Sequence, residues 1–184
     1  MNIQPISGGF SDAPRQSATA FRSVLEVMSR PGKTAVLSGA KPPAPLSIAA
    51  GTAILTLADS NTPVHLAGVF DCDALRQWIT FHTGAPLVPA DEADLAIGHW
   101  HDLEPLDRFR IGSPEYPDRS STLIVELHDW PQENARLTGP GIKTKTLAFV
   151  PGNRPTDFPL GLDLIMTMGE RISALPRSTE VEFL

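Results

Sequence analysis

The chain has little cysteine, little lysine and no long uninterrupted apolar run. Its single cysteine, Cys72, excludes an internal disulfide and a multi-cysteine zinc site, and it fits a reducing compartment. Lysine and arginine together number 15 against 21 acidic residues, a net charge of −6, and no basic run occurs. This balance argues against a main role in binding nucleic acid or anionic membranes.

The longest apolar stretch, 45–58, is interrupted by Ser and Thr and is too short to cross a bilayer. The first five residues carry neither a charged leader nor an apolar core, so no signal peptide is expected. These absences together predict a soluble cytoplasmic protein.

Proline is abundant, with 18 among 184 residues, about twice the usual share. Helices and strands should therefore be short and interrupted. The length and the 41% hydrophobic content predict one globular domain spanning 1–184, without a repeat or a low-complexity linker.

Three segments have helical patterns. The first follows Asp12, a candidate cap, and its predicted buried stripe is Ala18, Phe21, Leu25 and Met28. The second covers 46–58. The third begins near Asp71 or Asp73, and its predicted buried stripe is Leu75, Trp78, Ile79 and His82.

Strands are predicted at 34–37, 64–69, 94–98, 121–127, 135–137, 146–149, 162–168 and 172–175. Helices lead in the first half of the chain and strands in the second. This order favours an α/β fold in which helices flank a mixed sheet.

Motifs for catalysis are missing. No Walker loop or Gly-x-Ser-x-Gly elbow occurs, and Cys72 stands between two aspartates that should raise its thiol pKa. His99-x-His101 lacks a third metal ligand at motif spacing, so structural or surface histidines are the favoured interpretation. None of the four lysines lies in a context suited to a pyridoxal phosphate Schiff base. The sequence therefore predicts no catalytic residue, no metal site and no cofactor.

Arginine supplies 11 of the 15 cations, and its planar fork suits phosphate and carboxylate. The candidate anion contacts, all in loops or at element ends, are Arg30, Arg119, Arg154 and Arg177. The alternative is that they cap carbonyls or form surface ion pairs. His82 is a fifth ligand candidate, because a helix C-terminus favours the charged imidazole; a hydrogen-bonded core histidine is the alternative.

Short blocks of sequence punctuated by glycine and proline together resemble a known family. The blocks are GFSD at 9–12, FR at 21–22, MSRPG at 28–32, LADSNTP at 57–63, FHTGAP at 81–86, PDRSST at 117–122, LTGPGI at 137–142, FPLGLDL at 158–164 and ALPRST at 174–179. In this order, over nearly the whole chain, they are similar to PhnH, a subunit of the bacterial carbon–phosphorus lyase machinery. Two features depart from the family: Asn61 replaces a usual carboxylate, and the segment 143–157 is short, so that a helix before Phe158 is expected to be missing.

The resemblance implies a three-layer α/β/α sandwich like that of the pyridoxal phosphate-dependent transferases, without the cofactor. It also implies a homodimer that joins the G, I and J subunits of the complex. The associated reaction forms ribose 1-methylphosphonate 5-triphosphate from methylphosphonate and a purine nucleoside triphosphate, with the glycosidic chemistry attributed chiefly to the I subunit.

Two main hypotheses follow, beside a third possibility, a structural dimer that binds no ligand. The first is a non-catalytic or assisting subunit that serves assembly and helps to shape a nucleotide or phosphonate site. The second is a stand-alone enzyme or binder of a phosphorylated small molecule, with the four arginines as its anion contacts.

Overall fold

The structure, a computed structural model, describes residues 6–184; residues 1–5, on which the prediction about a leader rests, lie outside them. The helices are α1 (Ala13–Ser29), α2 (Ile48–Leu57), α3 (Asp73–Thr83) and α4 (Trp100–Leu103). The strands are β1 (Thr34–Val36), β2 (Val64–Leu66), β3 (Leu95–Gly98), β4 (Thr122–Glu126), β5 (Ala135–Thr138), β6 (Thr146–Ala148), β7 (Thr156–Asp157), β8 (Leu160–Gly161), β9 (Asp163–Met168), β10 (Arg171–Leu175) and β11 (Glu180–Phe183).

A six-stranded mixed sheet forms the centre of the protein, in the order β1-β10-β9-β4-β3-β2. The strands β2, β3, β4 and β9 run parallel, while β10 and β1 continue the sheet antiparallel. Ile97, Ile124 and Ile165 stand side by side across β3, β4 and β9 and are almost fully buried. Central parallel strands are buried on both faces, which explains their continuous apolar sequences. The predicted α/β class with a mixed sheet is confirmed.

Three helices cover one face of this sheet. The core on that side joins Val27 of α1, Ile54 of α2 and Trp78 of α3 to the side chains of the sheet. Helix α2 is the most enclosed, because the loop before it presses Pro42 against Gly51, where any Cβ would lie 2.5 Å from the proline ring. No helix among residues 6–184 is long and apolar enough to cross a membrane.

The opposite face is covered differently from the expected α/β/α arrangement. Its core combines Leu123 of β4 and Leu164 of β9 with Leu103 of α4 and Leu137 of β5. The covering layer is the antiparallel sheet β11-β5-β6, together with the four-residue helix α4 and short 3₁₀ turns. Residues 143–157 contain β6 and β7 and no helix, as the short segment predicted.

Helix α1 buries a different stripe from the predicted one. Its residues in the core are Ala20, Val24 and Val27, whereas Phe21 and Leu25 are 49% and 55% exposed. Both stripes repeat at helical spacing, so periodicity alone does not determine which of them meets the sheet. Asp12 caps the helix as expected, accepting a long hydrogen bond of 3.5 Å from the backbone N–H of Arg15.

Three further predictions are corrected. Val69 lies in a 3₁₀ turn and is exposed, so β2 ends at Leu66. Neither aspartate caps α3, which starts after Cys72 without a side-chain cap; Asp71 instead pairs with Arg76. Strand β11 was not predicted, because its alternation of Glu and apolar residues near the chain end is short and half exposed.

The two stripes of α1 can be tested separately. Val27→Ala should lower the free energy of unfolding by about 2 kcal/mol, because it leaves a cavity beneath a side chain with no exposed surface. Leu25→Ala should change it by less than about 0.5 kcal/mol. Urea unfolding at low protein concentration measures both, and a larger loss in Leu25→Ala would contradict the observed orientation of the helix.

Candidate functional site

Arg154, Arg177 and the 117–119 segment lie together at one edge of the sheet. This is the amino-terminal edge, where β4 and β9 begin. Arg177 forms a largely buried ion pair with Asp163, the first residue of β9, with 2.7 Å between Nη2 and Oδ2. The backbone N–H of Arg177 also donates to Asp163 Oδ1, and its Nη1 donates to the carbonyl of Pro117.

Arg154 is a partly buried side chain that holds several chain segments together. Its Nη1 donates to two backbone carbonyls at 2.5 and 3.1 Å, and its Nη2 donates to two more at 2.7 and 3.2 Å; the acceptors are Leu162, Leu175, Pro176 and Thr179. Burial lowers the pKa of the guanidinium to about 10, which leaves it charged at neutral pH. The side chain thus ties the start of β9, the end of β10 and the turn before β11 to one point.

Both arginines line a cavity of about 480 Å³, but Arg177 is already paired with a carboxylate and Arg154 is bound to carbonyls. Asp157 and Glu180 line the same cavity, and Asp163 neutralises Arg177. The Nη donors of Arg154 all point at carbonyls, and only its Nε has no partner among the described residues. These contacts favour the carbonyl-capping alternative for both residues.

The other two arginine candidates also have local partners. Arg119 places its guanidinium carbon 4.1 Å from the centroid of the Tyr116 ring, and Arg30 pairs with Glu26 at 2.9 Å on the surface. Arg30 follows α1 and is not among the residues that line the cavity of Arg154 and Arg177. Asn61, the departure from the family pattern, sits in an exposed turn where its backbone N–H donates to Asp59.

His82 lies under the N-terminal segment that precedes α1. Its ring packs edge-on against Trp78 and Phe81, and a Cβ on Gly9 would lie 2.4 Å from the imidazole. The Trp78 indole fixes the same segment by donating to the carbonyl of Ser7 at 2.9 Å. Burial lowers the pKa of His82 despite hydrogen bonds to the backbone of Ile6 and Ser7. The expectation that the helix C-terminus would favour the charged form is therefore wrong, because the N-terminal segment covers the imidazole and desolvation lowers its pKa.

The carboxyl-terminal edge of the parallel strands holds a polar cluster that was not predicted from the sequence. His99 follows β3 directly, and His128 comes two residues after β4. Their rings are in contact, with centroids 4.0 Å apart and planes tilted by 30°, while His101 stacks with His99 at a centroid distance of 5.7 Å. The sequence could have indicated this cluster, because His99 and His128 each follow a predicted strand. The carboxyl ends of neighbouring parallel strands meet at one edge, which is the usual ligand side of such sheets.

A buried glutamate stands beneath this histidine row. Glu126 receives hydrogen bonds from Thr167 at 2.6 Å and from Ser47, the cap of α2, at 3.0 Å. Burial raises the pKa of its carboxyl group. Its carbonyl accepts the Nδ1–H of His99 at 2.7 Å, so the tautomer of that ring is fixed. The carboxyl group of Glu126 thus lies at the start of α2, against its cap residue.

The histidine row does not form a metal site. Across residues 6–184, no three His, Cys, Asp or Glu side chains surround a common point, and the rings here lie against one another instead of converging. The free thiol of Cys72 belongs to the core beneath α3.

Fold and site thus define a mixed-sheet α/β protein whose polar side chains are engaged in holding its own backbone. The model of the family described as bacterial phosphonate metabolism protein (PhnH) matches residues 8–182, and the chain belongs to that family.

Two curated relatives extend the comparison. A protein of Rhizobium meliloti (strain 1021), named alpha-D-ribose 1-methylphosphonate 5-triphosphate synthase subunit PhnH, is 38% identical over 194 residues, which cover 97% of this chain and 96% of the relative. HtxG of Stutzerimonas stutzeri, whose name assigns it provisionally to C-P lyase as a subunit, is 32% identical over 184 residues, covering 92% of this chain and 87% of the relative.

The four carbonyl hydrogen bonds of Arg154 predict that its replacement will destabilise the fold even when the positive charge is kept. Arg154→Lys keeps a cation but cannot reach four carbonyls, so buried acceptors lose their donors and unfolding should become easier by about 2–4 kcal/mol. Urea unfolding measures the change. Arg119→Lys is the matched control and should stay within about 1 kcal/mol, because that arginine is exposed. Equal losses in both variants would contradict the role of these hydrogen bonds.

His82 predicts a pH dependence of known sign. Because its pKa is lower in the folded state than the ordinary value near 6.5, the folded protein takes up the proton less readily than the unfolded chain. The free energy of unfolding is therefore unaffected by His82 above about pH 6.5, where the imidazole is neutral in both states, and it decreases as the pH falls further. His82→Gln should flatten the decline of the urea midpoint between pH 7.5 and 5.5, whereas the exposed His101→Gln should not. Identical slopes in wild type and His82→Gln would contradict the assignment.

Proposed function

We propose that this chain is a subunit of the carbon–phosphorus lyase core complex in phosphonate catabolism. In that complex it assists the formation of ribose 1-methylphosphonate 5-triphosphate from methylphosphonate and a purine nucleoside triphosphate. The observation that carries the proposal is the match of residues 8–182 to the PhnH family, with a relative named as a synthase subunit that covers nearly the same length. The whole chain then acts as one PhnH-like domain.

An assembly or accessory role fits the geometry better than catalysis by the isolated chain. The arginines that were candidates for anion binding are engaged by carbonyls, carboxylates or an aromatic ring. Several large apolar side chains are exposed, among them Phe21, Leu25, Phe81 and Val36. Where exposed apolar groups lie next to one another, as Phe21 and Leu25 do one helical turn apart, they are typical of surfaces that partners cover.

The finer features of the proposal come from the family resemblance. The partners are a second copy of this chain and the G, I and J subunits, and the place of action is the cytoplasm. The fold is that of the pyridoxal phosphate-dependent transferases without the cofactor. The Thr/Lys surroundings of Lys143 and Lys145, and the Pro/Gly surroundings of Lys33 and Lys41, support the last point, because none of them is an apolar Schiff-base pocket.

Co-expression tests membership of the complex. The chain, carrying an affinity tag, is produced together with the G, I and J subunits, and the purified material is separated by size. The expected result is co-elution in a fixed ratio that persists at moderate salt, together with restored growth on methylphosphonate when the gene is returned to a strain lacking it. Omitting the J or I subunit serves as the control for non-specific capture.

A chain that never joins the complex, or a deletion strain that still grows on methylphosphonate, would overturn the proposal. Calorimetry of the isolated chain with purine triphosphates and methylphosphonate addresses the alternative. Tight binding or turnover without the other subunits would favour a stand-alone enzyme or binder.

A further inference from the structure

Strand β1 ends the six-stranded sheet and leaves one side of its backbone open. Leu37, next after β1, donates its N–H to the carbonyl of Glu170 at 2.8 Å, and Ala35 stands opposite Ile172. Because hydrogen-bonding direction alternates along an antiparallel strand, Ala35 faces β10, and the N–H and C=O groups of Thr34 and Val36 point outward. No other described residue bonds to those outward groups. The edge is thus a ready template for another strand.

The open edge is complementary to itself. A two-fold axis perpendicular to the sheet at Ala35 places Thr34 of one copy opposite Val36 of the other. Both residues direct their backbone groups outward, so each Thr34–Val36 pair exchanges two hydrogen bonds, and Ala35 faces Ala35 in a non-hydrogen-bonded pair. The side chains brought together are a β-branched pair without charge, which suits cross-strand packing. The two central sheets would become one continuous sheet.

Exposed apolar side chains flank this edge on both faces of the sheet. Ala35 packs towards the helical core, so the adjacent Val36 points to the opposite face, where it is 69% exposed. On the helical face, α1 packs on β10 and β1 and has α2 on its inner side. The exposed Phe21 and Leu25 therefore lie on the sides of α1 that neither the sheet nor α2 covers.

A stable dimer needs the contact between the α1 helices in addition to the strand pairing, because of the area that it must bury. A three-residue strand pair buries much less than the roughly 800 Å² per partner that specific interfaces bury. The perpendicular axis keeps both helical layers on the same side of the joined sheet, so α1 of each copy comes next to α1 of the other. Phe21 and Leu25, one helical turn apart, are then positioned as the anchors of a helix–helix contact.

We propose that a second copy of this chain docks on the β1 edge, pairing β1 with β1 about a two-fold axis at Ala35 while the Phe21 and Leu25 stripes of the two α1 helices pack together. The proposal rests on the homodimer of the proposed function and names its surface. The partner is identified as a second copy of this chain because the same three residues of β1 can supply both sides of the strand pairing. The exposed stripe of α1 lies next to this edge and would be brought together by the same two-fold axis.

Sedimentation across a concentration series tests the surface. Wild-type protein should be dimeric, and Val36→Lys and the double variant Phe21→Glu/Leu25→Glu should each weaken dimerisation at least tenfold. Phe81→Glu is the matched control, an equally exposed aromatic residue on α3, and should leave the dimer unchanged. Circular dichroism confirms that each variant is folded.

A cross-link supplies a gain-of-signal test that does not depend on weakened association. In a Cys72→Ser background, Ala35→Cys should form an intermolecular disulfide under mild oxidation at least tenfold faster than Phe81→Cys, because a non-hydrogen-bonded pair brings the two Cα atoms within disulfide reach.

The outcomes separate the two proposals. A dimer that persists in the β1 and α1 variants, or an Ala35→Cys chain that cross-links no faster than the control, overturns this surface and leaves the homodimer standing. A monomeric wild type overturns both the surface and the homodimer. Membership of the complex is tested separately by co-expression.

Discussion

The parallel pairing of β2, β3, β4 and β9 is the constraint on which the rest of the structure depends. Parallel neighbours cannot be joined by tight turns, so each connection must cross a face of the sheet and return. Backbone bonds of these strands are satisfied within the sheet, while their apolar side chains emerge on both faces and need two covering layers. Helices α1 to α3 supply one layer, and the small sheet with α4 supplies the other.

Because the strand faces are apolar, the polar residues of the central sheet lie at the two ends of the parallel strands. At the amino-terminal edge, where β9 starts after a tight turn, Arg154 and the Arg177–Asp163 pair hold several chain segments by their carbonyls. At the carboxyl-terminal edge, Glu126 joins β4 to the start of α2 and to β9 through hydroxyl groups. Charge at both edges is thus used for internal connection.

Much of the prediction followed from local rules, and two of the errors share one cause. Proline and glycine located the ends of α1 and α3, and alternating or continuous apolar residues located β3, β4, β9 and β10 close to their observed bounds. The stripe of α1 was predicted wrongly because two apolar faces compete for one core. The pKa direction of His82 was wrong because the segment that buries it lies more than seventy residues earlier in the chain. Both depend on partners distant in sequence.

The sequence by itself determined the class of fold, the positions of most elements, the lack of catalytic motifs and, through its ordered glycine–proline blocks, the family. These follow from backbone preferences and local side-chain spacing, which act over a few residues. Only the tertiary structure decided that Arg154 holds several chain segments together, that His99 contacts His128, and that β1 and a stripe of α1 remain uncovered. Such features depend on which strands become neighbours, because burial and hydrogen-bond partnership exist only once the sheet is assembled.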